Sequence, residues 1–180
     1  MNAYARGNRG QDWETAINRQ HRVYSETGHA WTWHTYPPFL IHRRTGKGGE
    51  FHGRLMGEAP PDYLVFARGW LLMAEAKTIR SLRLPWSAVK DHQARQLSQM
   101  DTIERGASIL LVRCVPEGEA VAVMWTDVSD AWSQWRAYRA AARAPRGSAS
   151  MAWPDLCDRA VWHGRCGADY LGAVLEELGA

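Results

Sequence analysis

Cysteine is scarce. Three occur among 180 residues, an odd number that argues against a disulfide framework. Long apolar runs are absent too: none approaches the roughly 20 residues that a bilayer-spanning helix requires. The opening MNAYARGNRG has no apolar core of the kind a secretion signal carries. No internal repeat is found. Nor is there a large excess of either charge: 22 Lys and Arg stand against 19 Asp and Glu, a formal net charge of +3. Such mild basicity permits nucleic-acid binding without requiring it. These absences leave a soluble cytoplasmic protein, with no membrane partner, as the expectation.

What is present is an ordinary globular composition, 46% hydrophobic and 23% charged, with ten Trp. It is enough to build a core, and the length predicts one domain with an arm or tail. Residues 1–10 are rich in Gly, Asn and Arg and read as flexible. A helix is predicted from Gln11, on the recurrence of Trp13, Ile17 and Tyr24, with Gly28 as its stop. WTWHTYPPFLI reads as a strand broken at Pro37 and Pro38. Residues 42–60, HRRTGKGGEFHGRLMGEAP, have few apolar anchors and read as a loop or protruding arm. Residues 62–67 and 70–76 predict two strands with a hairpin turn at Arg68 and Gly69. Residues 91–105 predict a helix with Asp91 as N-cap. SILLVRCV and AVAVMW predict paired buried strands, and residues 130–143 a helix ended by Pro145. The order predicts an α/β fold with a mixed central sheet flanked by helices. Residues 1–145 would form the domain, and 146–180 a linker and tail with a short helix near 168–178.

The stretch PPDYLVFARGWLLMAEAK, residues 60–77, carries the chemistry. In a strand, residues i and i+2 share a face, so Glu75 and Lys77 project together. Antiparallel pairing of 62–67 with 70–77 would bring Asp62 to the same place. Two carboxylates there make a hard, all-oxygen site of the kind Mg²⁺ prefers. A lysine beside it can orient a water or offset charge on a phosphate. The same spacing also fits two acids at strand ends with Lys77 as a solvated ion-pair partner.

Pro61-Asp62 followed by Glu75-Ala76-Lys77 resembles the PD-(D/E)xK nuclease core, and the chain resembles the RecU family of Holliday junction resolvases. NRGQDWETAIN (8–18) is similar to that family's opening helix. EAKTIRSLRLPWSAVKDHQARQLSQM (75–100) is similar to its catalytic strand, connection and following helix, and GASILLVR (106–113) fits its next core strand. The resemblance runs from about residue 6 to 135. It departs in the arm at 42–60 and has no counterpart after about 145. It implies a restriction-endonuclease-like core with a protruding basic arm. It further implies metal ligation by Asp62, Glu75 and the Ala76 carbonyl, with Lys77 as the catalytic lysine and Mg²⁺, or Mn²⁺ in its place, as cofactor. Glu14 would add a carboxylate from the first helix, its rival reading being an exposed first-turn glutamate. Gln93 would contact the site and His92 a phosphate; a solvent-facing glutamine and a helix-surface histidine are the alternatives.

Arg43, Arg44, Lys47 and Arg54 give the arm positive charge that suits phosphate contacts. Arg136, Arg139 and Arg143 follow at helical spacing, and no acidic residue occurs between Asp130 and Asp155. A DNA-binding face and a solvated helix face both fit. Trp31 and Trp33 share a strand face and read as core or dimer surface. Cys157, His163 and Cys166 lie close together; a zinc knuckle would need a fourth ligand, for which Asp169 is possible and Cys114, in a buried strand, a poor candidate. The expected function is a homodimeric, Mg²⁺-dependent endonuclease that cuts four-way DNA junctions in recombination and repair. A nuclease of ordinary duplex DNA and a non-catalytic DNA-binding protein are the alternatives.

Overall fold

The computed structural model describes residues 4–45, 50–140, 148–165 and 167–180. In chain order the elements are α1 (Tyr4–Glu26), β1 (Trp31–His34), β2 (Phe39–Thr45), β3 (Glu50–Leu55), β4 (Tyr63–Ala67) and β5 (Trp70–Ile79). They continue with β6 (Arg83–Pro85), α2 (Asp91–Met100), β7 (Gly106–Cys114), β8 (Glu119–Met124) and α3 (Thr126–Ala140). The last are β9 (Ser150–Ala152), α4 (Trp153–Cys157), β10 (Ala160–Gly164) and α5 (Leu171–Glu177).

Six strands form the main sheet in the order β1-β4-β5-β7-β8-β10. Only the β5–β7 pairing is parallel. That pairing needs a crossover, and α2 lies in the chain between its two strands. The β4–β5 turn is the hairpin expected at Arg68 and Gly69. Both have positive φ, 48° and 82°, which a two-residue turn matched to strand twist requires.

Strand alternation divides the interior in two. On one face Tyr63, Leu72, Ala74, Ile109 and Leu111 pack against Trp13 and Ile17 of α1 and Val174 of α5. On the other, Leu110, Val112, Val121 and Val123 pack with Ala94 and Leu97 of α2, Trp132 of α3 and Leu156 of α4. The mixed α/β sheet flanked by helices is therefore as expected.

Several boundaries differ from the sequence reading. Residues 4–10 are helical: their Gly and Asn lower helix propensity without breaking α1. The helix α2 ends at Met100, and Lys90 rather than Asp91 is its N-cap. The Asp91 carboxylate is instead engaged by Arg136. Much of the segment read as a loop is a β-ribbon, with β2 and β3 paired antiparallel in their own two-stranded sheet. Gly53 fits the pairing: a Cβ there would lie 2.2 Å from the Leu40 carbonyl oxygen.

The segment read as linker and tail contributes more than a final helix. Strand β10 pairs with β8 as an edge of the main sheet, and β9 pairs with β6. Helix α5 is anchored on α1. The Leu171 N–H donates to the Tyr24 hydroxyl at 3.2 Å, and that hydroxyl donates to Asp169 Oδ1 at 2.8 Å. His21 and Tyr170, both buried, are joined by a 2.6 Å hydrogen bond. Ending the chain at Arg165 removes Tyr170, Leu171, Val174 and Leu175, all at most 3% exposed. At ~1.5–3 kcal/mol for each buried side chain, the loss rivals the ~5–15 kcal/mol that holds a domain folded. The truncated chain is expected to lack a cooperative thermal transition by circular dichroism. A melt close to that of the full chain would mean that α5 is dispensable.

Candidate active site

The site arises where one strand outruns its neighbour. The last β4–β5 pair is Tyr63 with Ala74, so from Glu75 onward β5 has no partner on that side. Asp62 closes the gap: its Oδ2 accepts the Ala76 N–H at 2.8 Å. The Pro61-Asp62 segment is itself held by Thr35, whose N–H donates to the Asp62 carbonyl at 2.8 Å and whose hydroxyl donates to the Pro61 carbonyl. On the opposite side β7 runs in register, with Glu75 beside Leu110 and Lys77 beside Val112.

Glu75 and Lys77 project from β5 toward α2. Lys77 Nζ donates to Glu75 Oε1 at 2.5 Å. Gln93, in the first turn of α2, ties the pair to that helix. Its Nε2 donates to Glu75 Oε1 at 2.6 Å, while its Oε1 accepts from Lys77 Nζ at 3.3 Å and from the Lys90 N–H at 3.0 Å. The Glu75 and Lys77 side chains are 2% and 15% exposed, so the pair is buried rather than solvated.

Glu75 Oε2 is buried and has no hydrogen-bond partner. Burial pushes the Glu75 pKa up to about 7; Lys77 opposes the shift and the Asp62 charge adds to it. A buried carboxylate oxygen without a donor is costly, and a cation would satisfy it. Carboxylate oxygens suit Mg²⁺ or Mn²⁺ better than soft metals. Among the described residues no group of three or more His, Cys, Asp or Glu could hold a metal.

The other predicted residues fall at varying distance from this cluster. Glu14 is exposed on α1 and makes no hydrogen bond or ion pair among the described contacts; its charge bears on the Tyr63 hydroxyl. His92 is half-buried, with Nδ1 3.7 Å from Glu58 Oε1. Arg54 is exposed on β3. Lys47, Arg143 and Cys166 lie outside the described residues, as do the side chains of Arg43 and Arg44. Arg136 forks onto both oxygens of Asp91, and Arg139 lies over the Trp135 ring at 5.5 Å. Both arginines thus already have partners. His163 contacts Glu119 Oε2 at 2.9 Å. Trp31 and Trp33 are 55% and 54% exposed and stack on each other, so they are surface and not core.

Sequence reasoning missed two residues that shape the site. Thr35 holds the Pro61-Asp62 backbone, and the buried Tyr63 hydroxyl has no partner. A Tyr inside a predicted core strand was the available signal for the second, because a buried hydroxyl must be accounted for.

The raised Glu75 pKa has a stability consequence. Between about 4.5 and 7 the unfolded chain releases this proton while the folded chain keeps it, so the Glu75 contribution falls as pH rises. Buried His21, lowered to about 4 by desolvation and by His34, works the opposite way, losing stability as pH falls below the ordinary imidazole value of 6.5. The two offset each other in the parent protein, and the informative quantity is a difference. In EDTA, Glu75→Gln should gain on the parent by about 3 kcal/mol as pH rises through that window, read by urea unfolding at several pH values. A constant difference would mean that Glu75 ionises normally.

The cluster lies within a segment that matches a known family. The family model described as Recombination protein U, RecU, matches residues 8–143. No curated protein sequence matches the chain. Among solved structures, Hjc of Archaeoglobus fulgidus, a Holliday junction resolvase from an archaeal hyperthermophile, is similar at 12% identity and a TM-score of 0.39. That similarity covers 62% of this chain and 77% of Hjc. The RecU match takes in Glu14, Asp62, Glu75, Lys77 and Gln93 together with every strand from β1 to β8, and on that match the chain belongs to the RecU family.

Proposed function

We propose that this protein is a Holliday junction resolvase, a metal-dependent endonuclease that cuts four-way DNA junctions by paired nicks in recombination and repair. The observation that carries the reading is the unpartnered Glu75 oxygen within the Asp62, Glu75 and Lys77 cluster of a RecU-family chain. Asp62, Glu75 and the Ala76 carbonyl would hold Mg²⁺, or Mn²⁺ in its place. When bound, such an ion lowers the pKa of a water and offsets charge on the phosphate.

The remaining steps belong to the chain's own groups. Lys77 Nζ has three N–H bonds, two of them directed at Glu75 and Gln93. The third is free to orient the attacking water or to donate to a phosphate oxygen. Gln93 accepts from both Lys77 and the α2 backbone, so it fixes where that ammonium points. The water oxygen bonds to phosphorus as the P–O3′ bond breaks in line, leaving a 5′-phosphate and a 3′-hydroxyl.

A second copy of the chain is the proposed partner, because two symmetric nicks need two sites and a two-fold pair supplies them. Exposed apolar side chains concentrate between residues 31 and 66: Trp31, Trp33, Tyr36, Phe39, Ile41 and Phe66 are each 49–70% exposed. A large exposed apolar surface marks an interaction site. Arg54, with Arg43, Arg44 and Lys47, would give the β2–β3 ribbon its phosphate contacts. His92, Arg136 and Arg139 would contact DNA beside the site, with Arg136 first exchanging Asp91 for phosphate.

Asp62→Asn and Glu75→Gln should abolish cutting of a synthetic four-way junction while leaving junction binding nearly intact. Lys77→Ala should cost on the order of 10²–10³ in turnover, with arginine a poor substitute because its planar fork differs from a compact ammonium. Gel assays with and without Mg²⁺ read all three variants, and fast cutting by either carboxylate variant would falsify the ligand assignment. Equal cutting of linear duplex by the parent would instead favour a general duplex nuclease.

The ribbon gives a separate expectation. Replacing residues 43–54 with a short Gly-Ser linker should weaken junction binding far more than duplex binding in salt-matched titrations. Equal losses on the two substrates would make the ribbon a general DNA clamp.

A further inference from the structure

Tyr63 immediately follows Asp62 and begins β4 at the site. Its side chain is fully buried, at 0% exposure. The ring is held on two sides: His34 stacks on it at 4.8 Å and His21 meets it edge-on at 4.9 Å. Its hydroxyl nevertheless has no hydrogen-bond partner. Leaving such a group unsatisfied costs about 1–3 kcal/mol, and a phenylalanine would fill the same space without that cost. The hydroxyl lies in the field of the carboxylates of Asp62, Glu14 and Glu75. Of these, Asp62 has Oδ2 taken by the Ala76 N–H and is otherwise assigned to the cation, and Glu75 extends to the opposite sheet face, to Gln93. Glu14 stands on α1, which packs against the face that holds Tyr63, and it is exposed and unengaged among the described contacts.

We infer that Tyr63 is a positioning residue whose hydroxyl, unpartnered without metal, donates to the Glu14 carboxylate when a cation is bound, directly or through one water, and so fixes that carboxylate beside Asp62 for the cation. The inference rests on the reading of this cluster as a metal-dependent nuclease site. It explains why a strand that is otherwise apolar, YLVFA, begins with a phenol. It also explains how an exposed helix side chain that makes no contact of its own with the cluster is brought into it. Hydrogen bonds of this outer kind set the orientation of ligating carboxylates, and their loss typically costs ~10–100-fold in metal affinity or activity.

The test compares Tyr63→Phe, Glu14→Gln and the double variant. Each is followed by its unfolding temperature across a Mg²⁺ titration and by the Mg²⁺ needed for half-maximal junction cutting. Without metal, Tyr63→Phe should unfold at or above the parent temperature, because the ring contacts remain and an unsatisfied hydroxyl is gone. Its apparent Mg²⁺ affinity should fall about tenfold by both readouts. The double variant should be no worse than Glu14→Gln alone. A parent-like Mg²⁺ response in Tyr63→Phe or in Glu14→Gln overturns the inference, as does an additive loss in the double variant. A marked drop in the metal-free unfolding temperature of Tyr63→Phe overturns it as well, since the hydroxyl would then serve the fold. A parent that responds to Mg²⁺ yet cuts no junction would defeat the functional reading, while the thermal titration still decides the role of Tyr63. A parent that neither cuts nor responds to Mg²⁺ defeats both.

Discussion

A carboxylate buried with one oxygen satisfied and the other left open is the constraint around which this molecule is arranged. Glu75 lies in a central strand, where water is excluded and charge is expensive. Its Oε1 receives two donors, from Lys77 and Gln93, while its Oε2 receives none. A fold selected for stability alone would place an apolar residue there, because a well-packed apolar core is often as stable as a buried ion pair or more so. The half-satisfied arrangement makes sense as a site that awaits a cation, with its cost offset by the surrounding core.

The geometry of that site follows from unequal strand lengths. Strand β5 extends to Ile79, while β4 begins only at Tyr63, opposite Ala74. The resulting stretch of open backbone exposes an N–H, which Asp62 takes. One side-chain hydrogen bond thus does two things: it completes the sheet edge and sets a carboxylate at Ala76, the residue between Glu75 and Lys77. The crossover to β7 then brings the first turn of α2 over the other face, so Gln93 reaches both Glu75 and Lys77 from a rigid element. Precision at the site comes from the backbone ladder and the start of a helix rather than from a mobile loop.

These relations also set what a sequence could reveal. Period-2 alternation made Glu75 and Lys77 a pair, and the turn chemistry of Arg68 and Gly69 brought Asp62 back toward them; both are local signals. The hydrogen bonds of Gln93 and the capture of Arg136 by Asp91, 45 residues away, are not local, and only the folded chain displays them. The β2–β3 ribbon was hidden because glycines depress strand propensity, although at Gly53 a side chain would collide with the facing strand. Strand β10 was missed because its register shifts between Ala160 and Trp162, so five residues carry no clean alternation.

The residues beyond the family match bear on the site through packing. Tyr170 lies after the matched segment, yet its hydroxyl is bonded to His21, whose ring edge lies against Tyr63, the neighbour of Asp62. Tyr24, one turn further along α1, is tied to Asp169 and Leu171. Helix α1 is therefore fastened at its C-terminal half by the end of the chain, while Trp13, one position before Glu14, donates from its indole to the Leu111 carbonyl in β7 at 3.1 Å. Burial keeps His21 neutral well below physiological pH, so this fastening does not loosen near neutrality. A carboxylate on such a helix has a fixed backbone and a free side chain, which is the condition under which a single hydroxyl donor can decide where it points.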